Sequence, residues 1–180
     1  MTHALRKLAL TAAIAALSIG ATATLPIVAL TAETSALSQA RFDHMSVNAH
    51  DFEGMLAWYQ EKLGFTLDIA WRVEALDGKR LAYLSKNGAT IEIVAADQDA
   101  PKAAPPADFS EHFGRTGWGH FCFVVADVDA ALAELRENGV ETFVAAQTYP
   151  LDGTPYERRV GFLMDPEGNV IEFAEPLWVR

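Results

Sequence analysis

The chain has 180 residues, a formal net charge of −10 and 51% apolar residues. That length holds one ordinary domain or two small fused modules. Acids and bases are interspersed without charge blocks, and the acidic balance repels phosphate backbones, which excludes nucleic acid as an expected partner.

The first segment reads MTHALRKLALTAAIAALSIGATATLPIVAL. Arg6 and Lys7 form a positive start, Leu8 to Gly20 an apolar run, and Ala21-Thr22-Ala23 a small-x-small cleavage site. This is the pattern of a secretory signal peptide over residues 1–23. A secreted or periplasmic location follows, with no stable membrane insertion after cleavage. The competing reading is an uncleaved anchor, because apolarity resumes at LPIVAL. Pro26 and the Ala/Thr richness favour cleavage, which takes the charge from −10 to −12. Residues 24–40 read as a linker.

From Arg41 one order of elements occurs twice. The strand RFDHMSV opens the first copy and GWGHFCFVV the second. A helix follows each. Asp51 caps the first, with Phe52, Met55, Leu56, Tyr59 and Leu63 on one stripe and Gly64 as stop. Asp127 caps the second, with Val128, Ala131, Leu132 and Leu135 on its stripe and Asn138-Gly139 as stop. Three strands come next in each copy. Their turns are Asp77-Gly78 and Asn87-Gly88 in one, Asp152-Gly153 and DPEGN in the other. The closing strands are ATIEIVA and GNVIEFA. The fold class is therefore α+β: two tandem βαβββ modules, 41–97 and 117–176, within a domain spanning 41–176. The connector DQDAPKAAPPADFSEHFGRTG lacks periodicity and reads as a flexible crossover or a lid.

The repeat pairs four chemically capable residues. His44 and His120 sit in the opening strands, Glu92 and Glu172 in the closing ones. Each shares a face with small neighbours and has bulky apolar residues on the other face. A carboxylate in an Ile-Glu-Ile strand is costly to desolvate unless compensated, and two facing one cleft repel. A divalent cation removes both problems. Two imidazoles and two carboxylates suit one Ni, Zn, Fe or Mn ion, with open positions for water or substrate. The remaining histidines fit other places: His3 in the leader, His50 exposed before a helix, and His112 in the connector, long enough to reach the cleft but better read as solvated. Cys122, the only cysteine, reads as a small buried residue with no disulfide partner. Arg80, Arg158 and Arg159 are candidate anchors for an anionic substrate, although ordinary surface placement is the favoured reading of each.

The stretches FDHMSVNAHDFEGMLAWYQEKLGF, GATIEIV, GWGHFCFVVADVDAALAELRENGVE and RRVGFLMDPEGNVIEF resemble the vicinal oxygen chelate superfamily. That superfamily includes glyoxalase I, extradiol dioxygenases, methylmalonyl-CoA epimerase and bleomycin-resistance proteins. The resemblance implies a curved eight-stranded mixed sheet around a metal cleft, with helices on the outer face. It places His44, Glu92, His120 and Glu172 each on a family ligand position. Extradiol dioxygenases carry a non-ligand at the Glu92 position and a tyrosine shortly before the last glutamate, where this chain has VGFLMDP. His/Glu/His/Glu is the glyoxalase I set. Two departures concern the grip on glutathione: Ala96 replaces an asparagine of the eukaryotic type, and Thr116 replaces an arginine before GWGH, with Arg115 one place off.

The resemblance thus implies a metal-dependent, glyoxalase-like lyase or isomerase. Its small substrate chelates the metal through adjacent oxygens, with Glu172 as the base and Glu92 as its partner. An extradiol-type dioxygenase and a non-enzymatic periplasmic binding protein are the alternatives. A homodimer is compatible with each, and the site forms either within one chain or between two.

Overall fold

The computed structural model describes Leu37 and residues 40–179. The expected signal peptide, and the linker apart from Leu37 and Ala40, lie outside the described residues. Among the described residues no helix is long and apolar enough to cross a membrane.

The first module runs β1 (Met45–Ala49), α1 (Phe52–Leu63), β2 (Thr66–Val73), β3 (Lys79–Lys86) and β4 (Ala89–Ala95). Its four strands lie in the order β1-β4-β3-β2, with β1 parallel to β4 and the rest antiparallel. After a connector containing α2 (Phe109–Gly114), the second module runs β5 (His120–Val124), α3 (Val128–Glu137), β6 (Thr142–Pro150), β7 (Tyr156–Met164) and β8 (Val170–Ala174). The order β5-β8-β7-β6 repeats the first, again with one parallel pair. A short β9 (Trp178–Val179), unexpected from the sequence, adds to β7. The α+β fold of two βαβββ modules is as expected. The connector is not wholly irregular, because Asp108 caps α2 by accepting from the Glu111 amide.

Local chemistry explains the elements. Asp51 and Asp127 accept from the amides of Gly54 and Ala130, capping α1 and α3. Gly64 ends α1 at φ 67°, a left-handed conformation that costs glycine little. Asn87 and Gly88 both have positive φ and close the two-residue hairpin between β3 and β4. Gly161 in β7 has a different cause. A Cβ there would lie 2.6 Å from Leu132 and 3.3 Å from the Ala146 backbone, so the bare backbone lets α3 pack closely on the sheet.

The stripe on α1 is buried as the 3.6-residue period requires: Phe52, Met55, Leu56, Tyr59 and Leu63. It joins Val128, Leu132 and Leu135 of α3 and the inward faces of both sheets in one core. Five such side chains supply on the order of 10 kcal/mol of gross burial. A polar tie crosses the modules within this core. Tyr59, fully buried, donates to Asp165 at 3.1 Å, and Asp165 also accepts from the amides of Glu167 and Asn169 and from the Asn169 side chain. The shared core occupies the helix side of both sheets. The other face of the second sheet holds a smaller apolar cluster of Val160, Phe162, Val170 and Ala174 under Phe109 and Tyr149, and the two glutamates lie on the faces turned away from the shared core.

Candidate metal centre

Strand alternation sends Val47, Ile91 and Ile93 into the core and turns Glu92 to the opposite face. His44 immediately precedes β1 rather than lying within it. Its Nε2 is 3.7 Å from Glu92 Oε2, and its Nδ1 is 2.7 Å from Asp43 Oδ2. In the second module Ile171 and Phe173 face the core while Glu172 faces away. His120 Nε2 is 3.1 Å from Glu172 Oε2. Two donors each about 2.1 Å from one ion stand about 3.0 Å apart at a right angle and about 3.4 Å at a tetrahedral angle. The His120–Glu172 pair falls within that range, whereas His44–Glu92 at 3.7 Å is wider than a tetrahedral angle gives and would have to close slightly on an ion. The nitrogen and oxygen donors of both pairs suit a borderline transition metal.

The two pairs do not converge on one point. Among the described residues, no three of these four put ligand atoms within 4.8 Å of one another. His44 and His120 nevertheless line one cleft of about 510 Å³, with Phe42, Trp118 and Asn169 on its walls. The opening strands β1 and β5, which line this cleft, are the end strands of their sheets. Phe42 and Trp118 are 77% and 91% exposed, an unusual cost for two large aromatics at one cleft.

Among the described residues, the acidic groups that do come together are Asp127, Asp129 and Glu175. Its carboxylates are committed elsewhere. Asp127 caps α3, Glu175 accepts from the Val128 amide, and Asp129 receives two bonds from Arg159.

Three sequence expectations need correction. His112 is not solvated: it is 7% exposed, and its Nε2 lies 2.9 Å from His120 Nδ1. Burial, with the neighbouring His120 and Arg115 charges, lowers its pKa. The connector gave no periodic signal, so the helix that carries His112 was not foreseen. His50 is half-buried, because its ring bonds the Ala100 carbonyl and its amide donates to Glu167. Cys122 is exposed, because β5 is an end strand and Cys122 shares the outward face with His120. Its thiol is still pushed up to about 12, by desolvation first and then by Glu172. Arg80 and Arg159 follow the favoured surface reading, tied to Glu53 and Asp129 in the first turns of α1 and α3, and Arg158 is the arginine whose charge reaches Glu172. The Glu172 carboxyl is held below its ordinary range, chiefly by its hydrogen bond to His120.

Two aromatic residues escaped the sequence reading. Tyr83 stands opposite Glu92 in the strand register, and Phe162 stands opposite Glu172. Only the pairing register reveals them.

Comparison with known proteins agrees with this architecture. The family profile described as the Glyoxalase/Bleomycin resistance protein/Dioxygenase superfamily matches residues 41–173. The chain belongs to that superfamily. It is 30% identical to the uncharacterized protein YwkD of Bacillus subtilis (strain 168), covering 73% of this chain and 94% of that one. It is 31% identical to the uncharacterized protein YaeR of Escherichia coli (strain K12), covering 73% and 93%. A glyoxalase family protein from Enterococcus faecalis has the same fold, with a TM-score of 0.61, 23% identity and coverage of 77% and 99%. So does the fosfomycin resistance protein FosX of Listeria monocytogenes, solved with Mn(II) and sulfate, at TM-score 0.51, 14% identity and coverage of 76% and 93%.

Proposed function

We propose that the protein is a divalent-metal-dependent lyase or isomerase of the glyoxalase type, acting on a small substrate with two adjacent oxygens. The observation that carries this reading is the repeated His–Glu pair, His44 beside Glu92 at 3.7 Å and His120 beside Glu172 at 3.1 Å. These four residues would hold the ion, which when bound supplies Lewis-acid stabilisation to negative charge developing on the substrate oxygens. Glu172 takes the proton from the carbon beside the carbonyl, and Glu92 is its partner in returning it. Phe162, opposite Glu172, sets an apolar ring beside that carboxylate, in the stretch where a ring-cleaving reading needs a phenol.

Because the two pairs do not converge on one point, each is a half-site, and the complete donor set is best supplied by two copies, the first half-site of one and the second of its partner. The exposed Phe42 and Trp118 at the cleft favour this homodimer. The segment 1–23 carries the chain to the periplasm or beyond and is then removed, so the mature N-terminus should be found at or near Thr24 by sequencing. The functional test is an assay of the metal-loaded protein with methylglyoxal and a panel of thiols, with oxygen uptake followed in parallel. Turnover without oxygen consumption supports the reading. Oxygen-dependent turnover, or tight ligand binding without turnover, rejects it.

A further inference from the structure

We infer that His112 is the positioning residue of the second half-site, the counterpart there of Asp43 in the first. This rests on the reading that His120 and Glu172 share an ion. A histidine that ligates through Nε2 carries its proton on Nδ1, and that N–H needs an acceptor to fix the ring's tautomer and orientation. In the first half-site Asp43 Oδ2 stands 2.7 Å from His44 Nδ1. In the second, His112 Nε2 stands 2.9 Å from His120 Nδ1, while His120 Nε2 faces Glu172.

The connector is built to deliver this imidazole. Asp108 caps α2, and the Ala107 amide donates to Glu111. Arg115, at the far end of α2, bonds Glu111 and the carbonyls of Ala104 and Pro105. Pro105 lies against Gly168 in the turn before β8. Phe113 and Phe162 enclose the His112 ring, with centroids at 5.1 and 6.3 Å. Such apolar walls favour the neutral imidazole, whose free lone pair is what an acceptor requires. With Nε2 accepting, the proton of His112 resides on Nδ1. The loaded site therefore contains two Nδ1–H tautomers in series, His112 and His120.

The test uses the full chain loaded with Zn²⁺. Long-range ¹⁵N–¹H spectra should show both His112 and His120 as Nδ1–H tautomers. Zn²⁺ affinity by chelator competition should fall about 10- to 100-fold in His112→Phe, which keeps the ring's bulk and removes the acceptor. His112→Gln, whose carbonyl can reach the same point, should recover most of that loss. An unchanged affinity in His112→Phe overturns the proposal, as does a loss that Gln fails to restore, or His112 found as the Nε2–H tautomer in the loaded wild type. Absence of Zn²⁺ binding in the wild type, or full affinity in His120→Ala, overturns the underlying reading of the site and the proposal with it.

Discussion

Tyr83 and Phe162 occupy equivalent places in the two modules. Each faces its module's glutamate across the register, and the rings lie 5.2 Å from His44 and 5.5 Å from His120. The pseudo-symmetry is thus exact in position and broken in chemistry, with a phenol in one half and a plain ring in the other. Tyr83→Phe, which makes the halves alike, should keep the fold and lower kcat about fivefold, the worth of one ordinary hydrogen bond. Phe162→Tyr places a hydroxyl in an apolar cluster and should cost about 1–3 kcal/mol in a denaturant titration. A Tyr83→Phe loss as large as that of a carboxylate variant would make the phenol an acid-base group.

The carboxylates divide the work unequally. Glu172→Gln keeps the shape and a neutral oxygen but removes the base. At saturating metal its kcat should fall on the order of a hundredfold or more. Glu92→Gln should weaken metal binding similarly and cost less in rate. Equal, modest losses in both would mean that neither takes the proton.

Cys122 reports on Glu172 because its thiol shares a hydrogen bond with that carboxylate. A thiol whose pKa stands at about 12 has almost no thiolate at pH 8. Alkylation by iodoacetamide should be on the order of a hundredfold or more slower in the native than in the unfolded protein, although the residue is exposed. The neighbouring Glu172 charge raises that pKa, so Glu172→Gln should speed native alkylation. Native and unfolded rates that match would remove the electrostatic coupling.

Asp165 joins the modules through Tyr59. Asp165→Ala leaves the Tyr59 hydroxyl and two backbone amides without their acceptor in a buried place. A loss of about 2–4 kcal/mol is expected by denaturation, against about 1 kcal/mol for Tyr59→Phe. Equal effects of the two substitutions would show that the amides find other acceptors.

The repeat was legible because it is written in local chemistry. Asp51 and Asp127 cap, Asn87-Gly88 turns, and period-two alternation sets the two glutamates apart from their isoleucine and phenylalanine neighbours. The four donors followed from counting equivalent positions. His112 was hidden because α2 is six residues long and is fixed by contacts with remote groups rather than by its own periodicity. The exposure of Cys122 was hidden for a similar reason. An apolar strand reads as buried until the sheet order makes it an end strand. The separation of the half-sites was equally invisible, since it depends on how the modules share their helix-side core.

The site's division between chains can be tested by complementation. The double variants His44→Ala/Glu92→Ala and His120→Ala/Glu172→Ala should each be inactive. Refolded together, they should regain a fraction of the wild-type metal and activity, because a mixed dimer contains one intact donor set. No recovery in a mixture shown to form mixed dimers would place the whole site within one chain.

The most direct measurement of the central claim is metal content by elemental analysis of the purified wild type, His44→Ala and His120→Ala, each confirmed to be folded. The account predicts one divalent ion per chain in the wild type and loss of most of it in each variant, because imidazole supplies much of a transition metal's affinity. Wild-type metal content in both variants would contradict it.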